Sequence, residues 1–370
     1  MNLREGRIGF QEAVCVAVVS MGSKAIFIGS QILSGSGSGL WQSCLLSAFW
    51  SLIFLALVFF VLRRTGAPGL MEAFSSLFGP ALGGVAKLCL GTVQFLGAMF
   101  LAENFVIMLR HYVMENSPEW FVALLLIIGA FPLSWMGLEA ITRASKIIVF
   151  LAGGALLLTI LGAFSSFELF RLFPLGGPGV KSIAVRSIQQ SLFWSDALIL
   201  TTLPDALQRK KTMKRSALTA TFLSSGAVFL CILALSLSFA YPLLSKLTVP
   251  IYKLSGVSLS GHVRRLGESM PYFWLMGAII AIAFGIYQSA LIYCRLFSIR
   301  DIRAVLPALF SLLFFSLLLS CTNLSWVQLA IQIICQWGWI LLAAPVILSA
   351  FLALGRRKPN ELEKSTARSA

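Results

Sequence analysis

At 370 residues, 58% of them hydrophobic and only 12% charged, the chain is too apolar for a water-soluble domain, in which about a quarter of residues carry charge. Its net charge of +15 would suit a nucleic-acid binder, but the basic residues are confined to short loops between apolar runs, the pattern that orients membrane proteins. Nucleic acid is therefore not an expected partner. The composition and a mean hydropathy of +0.89 predict an all-α polytopic membrane protein. One transmembrane bundle is expected over 1–354, with a polar tail at 355–370.

Ten apolar segments follow in order, at roughly 10–33, 40–62, 83–109, 119–136, 144–165, 187–206, 216–240, 271–294, 304–321 and 325–354. Each is about the length that a helix needs to cross a bilayer. An even number places both termini on one side. That side carries twenty Lys and Arg and the opposite side eight, so both ends are expected in the cytoplasm. With no short apolar core followed by a small-residue cleavage site, the first span is expected to stay in place. Trp41, Trp120 and Trp326 fall at the outer ends of spans, where interfacial aromatics belong.

The first span holds an anomaly. Lys24, in Gly22-Ser23-Lys24-Ala25-Ile26, lies fourteen residues beyond Phe10, or about 21 Å along a helix. An ionisable group at that depth costs a few kcal/mol or more unless it meets a partner or water. The Gly-Ser step before it suggests a helix break. After span 2, the segment Leu70–Phe78 is apolar and bounded by glycine and proline, which suits a short interfacial helix. In span 3, Gly84, Gly91 and Ala98 recur every seven residues and form a small-residue face for close helix packing.

Two further ionisable residues are buried by position, Glu103 in span 3 and Asp196 in span 6, within Phe193-Trp194-Ser195-Asp196. Spans 1 and 6 each begin a set of five, and interruptions at matching places in two halves point to a central binding site. An unwound stretch frees backbone carbonyl and N–H groups for a small zwitterion or ion. Lys24 either neutralises Asp196 or Glu103 as a structural pair or takes part in handling substrate or protons. Glu103, seven residues before Arg110, also fits a rim residue reaching the headgroups. Gln94, Asn104, Tyr287, Gln288, Gln332 and Gln336 are polar within spans, where interhelical hydrogen bonds are the commoner use.

Catalytic and metal motifs are not evident. The seven cysteines are scattered without metal spacing and read as small apolar residues, and His111 and His262 lie far apart in loops. Gly176-Gly177-Pro178-Gly179-Val180-Lys181-Ser182 lacks the Gly-Lys adjacency of a phosphate loop. No enzyme activity, metal or cofactor is expected.

Several stretches carry a family likeness: Gly9-Phe10-Gln11-Glu12, the Gly22–Ile26 stretch, Gly137-Leu138-Glu139-Ala140-Ile141-Thr142-Arg143-Ala144, Leu172-Phe173-Pro174-Leu175, Leu203-Pro204 and Arg300-Asp301-Ile302-Arg303. In them, and in the spacing of its ten spans, the chain resembles the permease-like B subunits of bacterial spore germinant receptors. Those proteins are related to the amino acid–polyamine–organocation transporters. Two departures stand out. Only Trp41 remains of an Asp-Ala-Trp-like run, and Lys24 replaces a small or apolar residue.

The resemblance implies a five-plus-five inverted repeat with broken helices 1 and 6 and a small ligand, an amino acid, held between helices 1, 3, 6 and 8. It also implies A-type and C-type partner subunits and a place in the bacterial cell membrane or the inner spore membrane. On this basis Gly22, Ser23, Lys24, Phe193, Trp194, Ser195, Asp196 and Tyr287 are the expected ligand-binding residues. Glu139 and Arg143, four apart, form either an inner gate or an ordinary surface pair. The expected function is nutrient sensing, with proton-coupled transport of an amino acid or amine as the alternative.

Overall fold

The computed structural model describes residues 6–27, 34–191, 195–207, 210–244, 246–247, 249–257, 264–321, 333 and 336–355. The described part is helical, without strands. The principal helices are α1 (Phe10–Phe27), α2 (Leu40–Thr65), α3 (Leu70–Tyr112), α4 (Glu119–Met136), α5 (Leu138–Gly162) and α6 (Val180–Gln190). They continue as α7 (Ser195–Ile199), α8 (Lys210–Ser238), α9 (Pro250–Val257), α10 (Arg264–Phe297), α11 (Leu306–Cys321) and α12 (Trp339–Leu354).

Among the described residues, eight helices are long and apolar enough to span a bilayer: α2, α3, α4, α5, α8, α10, α11 and α12. They fall on the expected spans 2–5 and 7–10, although most of 325–335, the first part of the tenth, lies outside the described residues. The first and sixth expected spans are not among them. α1 is an 18-residue helix ending at Phe27. The sixth is divided among α6, α7, a 3-10 turn at Leu200–Thr202 and a single turn at Pro204–Leu207. One expectation about α1 fails. Gly22 and Ser23 lie within the continuous helix rather than in an unwound stretch, since the turns on either side supply the backbone hydrogen bonds a helix needs in lipid.

The helix starts and turns follow local chemistry. The carboxylate of Glu12 reaches back to accept the Gly9 N–H at 2.8 Å, which satisfies a donor at the start of α1. Within α3, Gly79 takes φ 76° ahead of Pro80, and the chain pivots there. A side chain at that φ would be strained and Pro80 cannot continue the hydrogen-bond ladder, so Leu70–Phe78 becomes the separate short helix expected from sequence. Gly137, at φ 97°, makes the abrupt turn from α4 into α5.

α1 is the hub, packed against α5, α8 and α10. Ala13, Val16, Ala17, Met21 and Ala25 have no exposed surface. The outward faces of α5, α8, α11 and α12 present Phe150, Leu161, Phe222, Phe315 and Phe351, each more than half exposed. This is the apolar surface that a lipid environment requires. α3 and α10 pack closely along the small-residue face predicted for span 3. A Cβ on Gly91 would stand 2.7 Å from the Tyr293 ring, and one on Gly285 would stand 3.0 Å from Ala98. Between helices in lipid, such close contact is a main source of association. Gly91→Leu is expected to lower stability by about 1–3 kcal/mol, the range for overpacking a tight contact, measured as the thermal midpoint of the purified protein. An unchanged midpoint would show that this seam tolerates bulk.

The two ends of the bundle are sorted by their contacts. At one end, the Ile8 N–H donates to the Ala206 carbonyl at 3.1 Å, Glu12 pairs with Lys146 at 2.7 Å, and Arg295 joins Glu72 and Asp205. At the other end, Ser38 donates to the Pro174 carbonyl, Arg110 pairs with Glu119, and Tyr112 stacks on Tyr252 at 4.0 Å between ring centres. The first end gathers loops that the charge bias assigns to one side of the membrane.

Candidate functional site

The deepest charges in the described bundle belong to Lys24 and Asp196, 1% and 0% exposed. Lys24 lies in the last turn of α1 and Asp196 in the first turn of α7, so the first and sixth expected spans each contribute one. The ammonium donates to both carboxylate oxygens of Asp196, at 2.9 and 3.0 Å. Gln94 of α3 brings its Oε1 to 3.5 Å from the same nitrogen. Gly97, one turn further along α3, leaves the room the lysine fills, since a Cβ there would stand 3.3 Å from Nζ and 3.4 Å from Cε.

The physical balance explains why these groups come together. Each ion alone would cost several kcal/mol at this depth. Together they cancel, and the two-pronged contact satisfies both carboxylate oxygens. Among the alternatives left by the sequence, the structure selects Asp196. Glu103 is instead half-buried and accepts a hydrogen bond from Ser320 of α11.

The remaining expected site residues separate. Gly22 and Ser23 line a different cavity of about 90 Å³ with Val18, Val19, Val149 and Trp274. At 100° per residue, Lys24 points away from that cavity, on the opposite face of α1. Gly22 meets no atom within 4 Å of an added Cβ, so its lack of a side chain is what opens that space. Tyr287 is buried beside another cavity, of about 440 Å³, at the other end of α10, with Ser134, Gly137, Arg300 and Arg303. It does not join Lys24. Ser195 begins α7, while Phe193 and Trp194 lie outside the described residues.

Glu139 and Arg143 pair at 3.1 Å, with Arg143 72% exposed. Such a pair contributes little by itself. Glu139 does more, because its other oxygen accepts the Arg7 backbone N–H at 3.0 Å and ties the segment before α1 to the start of α5.

Sequence reasoning missed two contributors. Gly97 was one glycine among many, and only the neighbouring lysine shows its use. Arg295, 14% exposed, donates to the Thr202 carbonyl at 3.1 Å, to Glu72 at 3.3 Å and to Asp205 at 3.2 Å. The acidic residues scattered at that end of the bundle were its available signal. In addition, the buried amides of Gln190 and Gln288 have no hydrogen-bond partner among the described residues.

Comparison with known proteins places this geometry. The family model described as spore germination protein matches residues 9–324. Among solved structures, the chain is similar to a substrate-bound, outward-open Na+-coupled sialic acid symporter, with TM-score 0.66 and 13% identity over 93% of this chain and 80% of that one. It is also similar to MhsT in complex with L-phenylalanine, with TM-score 0.65 and 16% identity over 95% of this chain and 89% of that one. A manganese transporter of Eremococcus coleocola matches with TM-score 0.57 and 15% identity, over 93% and 78%. At these identities the likeness is one of fold. No protein with a curated description matches.

Proposed function

Because this chain belongs to the spore germination protein family, we propose that it is a nutrient-sensing subunit of a spore germinant receptor, with a small amino acid as its ligand. The observation that carries the reading is the fully buried Lys24–Asp196 pair, set between α1 and α7 and beside α3. That position supplies one positive and one negative group to a molecule bearing both charges. Phe193, Trp194 and Ser195 adjoin Asp196 in the chain, and in this reading they complete the site. Tyr287, Gly22 and Ser23 line separate cavities and stand outside the site.

The reading includes a five-plus-five inverted repeat, A-type and C-type partner subunits, both termini in the cytoplasm, and the inner spore membrane as location. It assigns the site to binding, with no catalytic step. The alternative is proton-coupled transport of an amino acid or amine, by a chain that shares its fold with a Na+-coupled symporter.

Uptake into vesicles containing the purified protein separates the two. The sensing reading expects saturable binding of a labelled amino acid without accumulation when a proton gradient is imposed. Sustained accumulation against a gradient would establish the transporter instead.

A further inference from the structure

We propose that the Lys24–Asp196 pair is a built-in stand-in for the ligand. A zwitterion binds by opening the pair and inserting between its members, so the resting site is closed by its own charges. This rests on the reading above and adds how the site selects and responds.

The selection follows from charge conservation in a dry site. With the pair closed, both ions are satisfied at 2.9 and 3.0 Å and neither is exposed. A cation taking Asp196 would leave the ammonium of Lys24 buried without a counter-charge, and an anion taking Lys24 would leave Asp196 so. Either orphan costs several kcal/mol. A molecule with an ammonium and a carboxylate on one carbon replaces one ion pair with two, Lys24 to its carboxylate and Asp196 to its ammonium, and leaves no orphan. Gln94, already 3.5 Å from Lys24, offers its amide to the displaced lysine. The site thus excludes monovalent amines and acids through charge, whatever their shape.

The response follows from where the two charges are mounted. Lys24 is three residues from the end of α1, and Asp196 sits on a five-residue helix followed by further short pieces. Those pieces are held at one end of the bundle by Ile8 on the Ala206 carbonyl and by Arg295 on the Thr202 carbonyl and Asp205. Moving Asp196 away from Lys24 therefore pulls on these contacts at that end of the bundle. Gly97 leaves open the space beside the lysine chain.

The test uses the purified full-length protein and its thermal stabilisation by each of the twenty standard L-amino acids. For the strongest binder, the amine lacking its carboxylate and the acid lacking its ammonium are then tested; for alanine these are ethylamine and propanoate. The wild type is expected to respond to the amino acid and to neither analogue at tenfold higher concentration. Lys24→Met is expected to bind the amine at least tenfold more tightly than the wild type does and the amino acid at least tenfold more weakly. Asp196→Asn is expected to gain the acid in the same way. Single variants that keep amino-acid affinity within threefold, or that gain neither analogue, overturn the proposal and leave the sensing role standing. A wild type that responds to none of the twenty overturns the sensing role itself, and this proposal with it. If a single variant does not fold, Lys24→Met/Asp196→Asn decides. At least tenfold weaker amino-acid binding supports the exchange, and wild-type affinity overturns it.

Discussion

Lys24→Met is expected to destabilise the purified protein by about 3–5 kcal/mol, the cost of leaving one member of a buried ion pair alone. The loss should be recovered for the most part in Lys24→Met/Asp196→Leu, where no charge is left unpaired. The asymmetry is the informative part. The pair's attraction in the dry interior does little more than offset the desolvation of its two ions, so removing both is mild and removing one is severe. Both residues are essentially unexposed, so solvent does not screen the orphaned carboxylate. Thermal midpoints and denaturant titrations of the single and double variants measure the difference. A double variant as unstable as the single one would mean that the lysine's packing against Gly97, and not its charge, holds the helices together.

Arg295→Ala is expected to release the divided sixth span from the end of α10. The guanidinium bonds the Thr202 carbonyl and two carboxylates at once. A hydrogen bond from a charged group contributes about 1.5–3 kcal/mol. The two carboxylates add little, because Glu72 is 40% and Asp205 65% exposed, and solvent screens them. Hydrogen exchange of the backbone at 200–207 should quicken by about tenfold to a hundredfold, each factor of ten matching roughly 1.4 kcal/mol. Arg295→Lys keeps the charge but loses the planar fork, and an intermediate rate is expected. Exchange unchanged in Arg295→Ala would show that Ile8 on the Ala206 carbonyl is sufficient to hold these turns.

These two substitutions act on one linkage from opposite ends. The pair positions Asp196 in the middle of the bundle, and Arg295 positions the turns that follow it. A ligand that opens the pair would have to work against both, which makes the sixth span the element to watch for movement.

The sequence by itself determined the class of molecule, because hydrocarbon admits only long apolar helices and loops carry the charge. It also marked the short helix Leu70–Phe78, bounded by glycine and proline, whereas the positive φ of Gly137 is known from the structure. That Lys24 and Asp196 each required a partner was likewise legible, since depth in a span makes an isolated charge untenable. The tertiary structure alone decided that they partner each other across 172 positions and that Glu103 turns to α11. It also placed Gly22 and Ser23 on the face of α1 opposite the lysine. Treating that stretch as unwound hid what a continuous helix makes plain, that adjacent residues point about 100° apart. The rotation of each helix about its own axis, set by which small residues let neighbours approach, decides which side chains share a site. A hydropathy pattern carries the length of a helix and not that rotation.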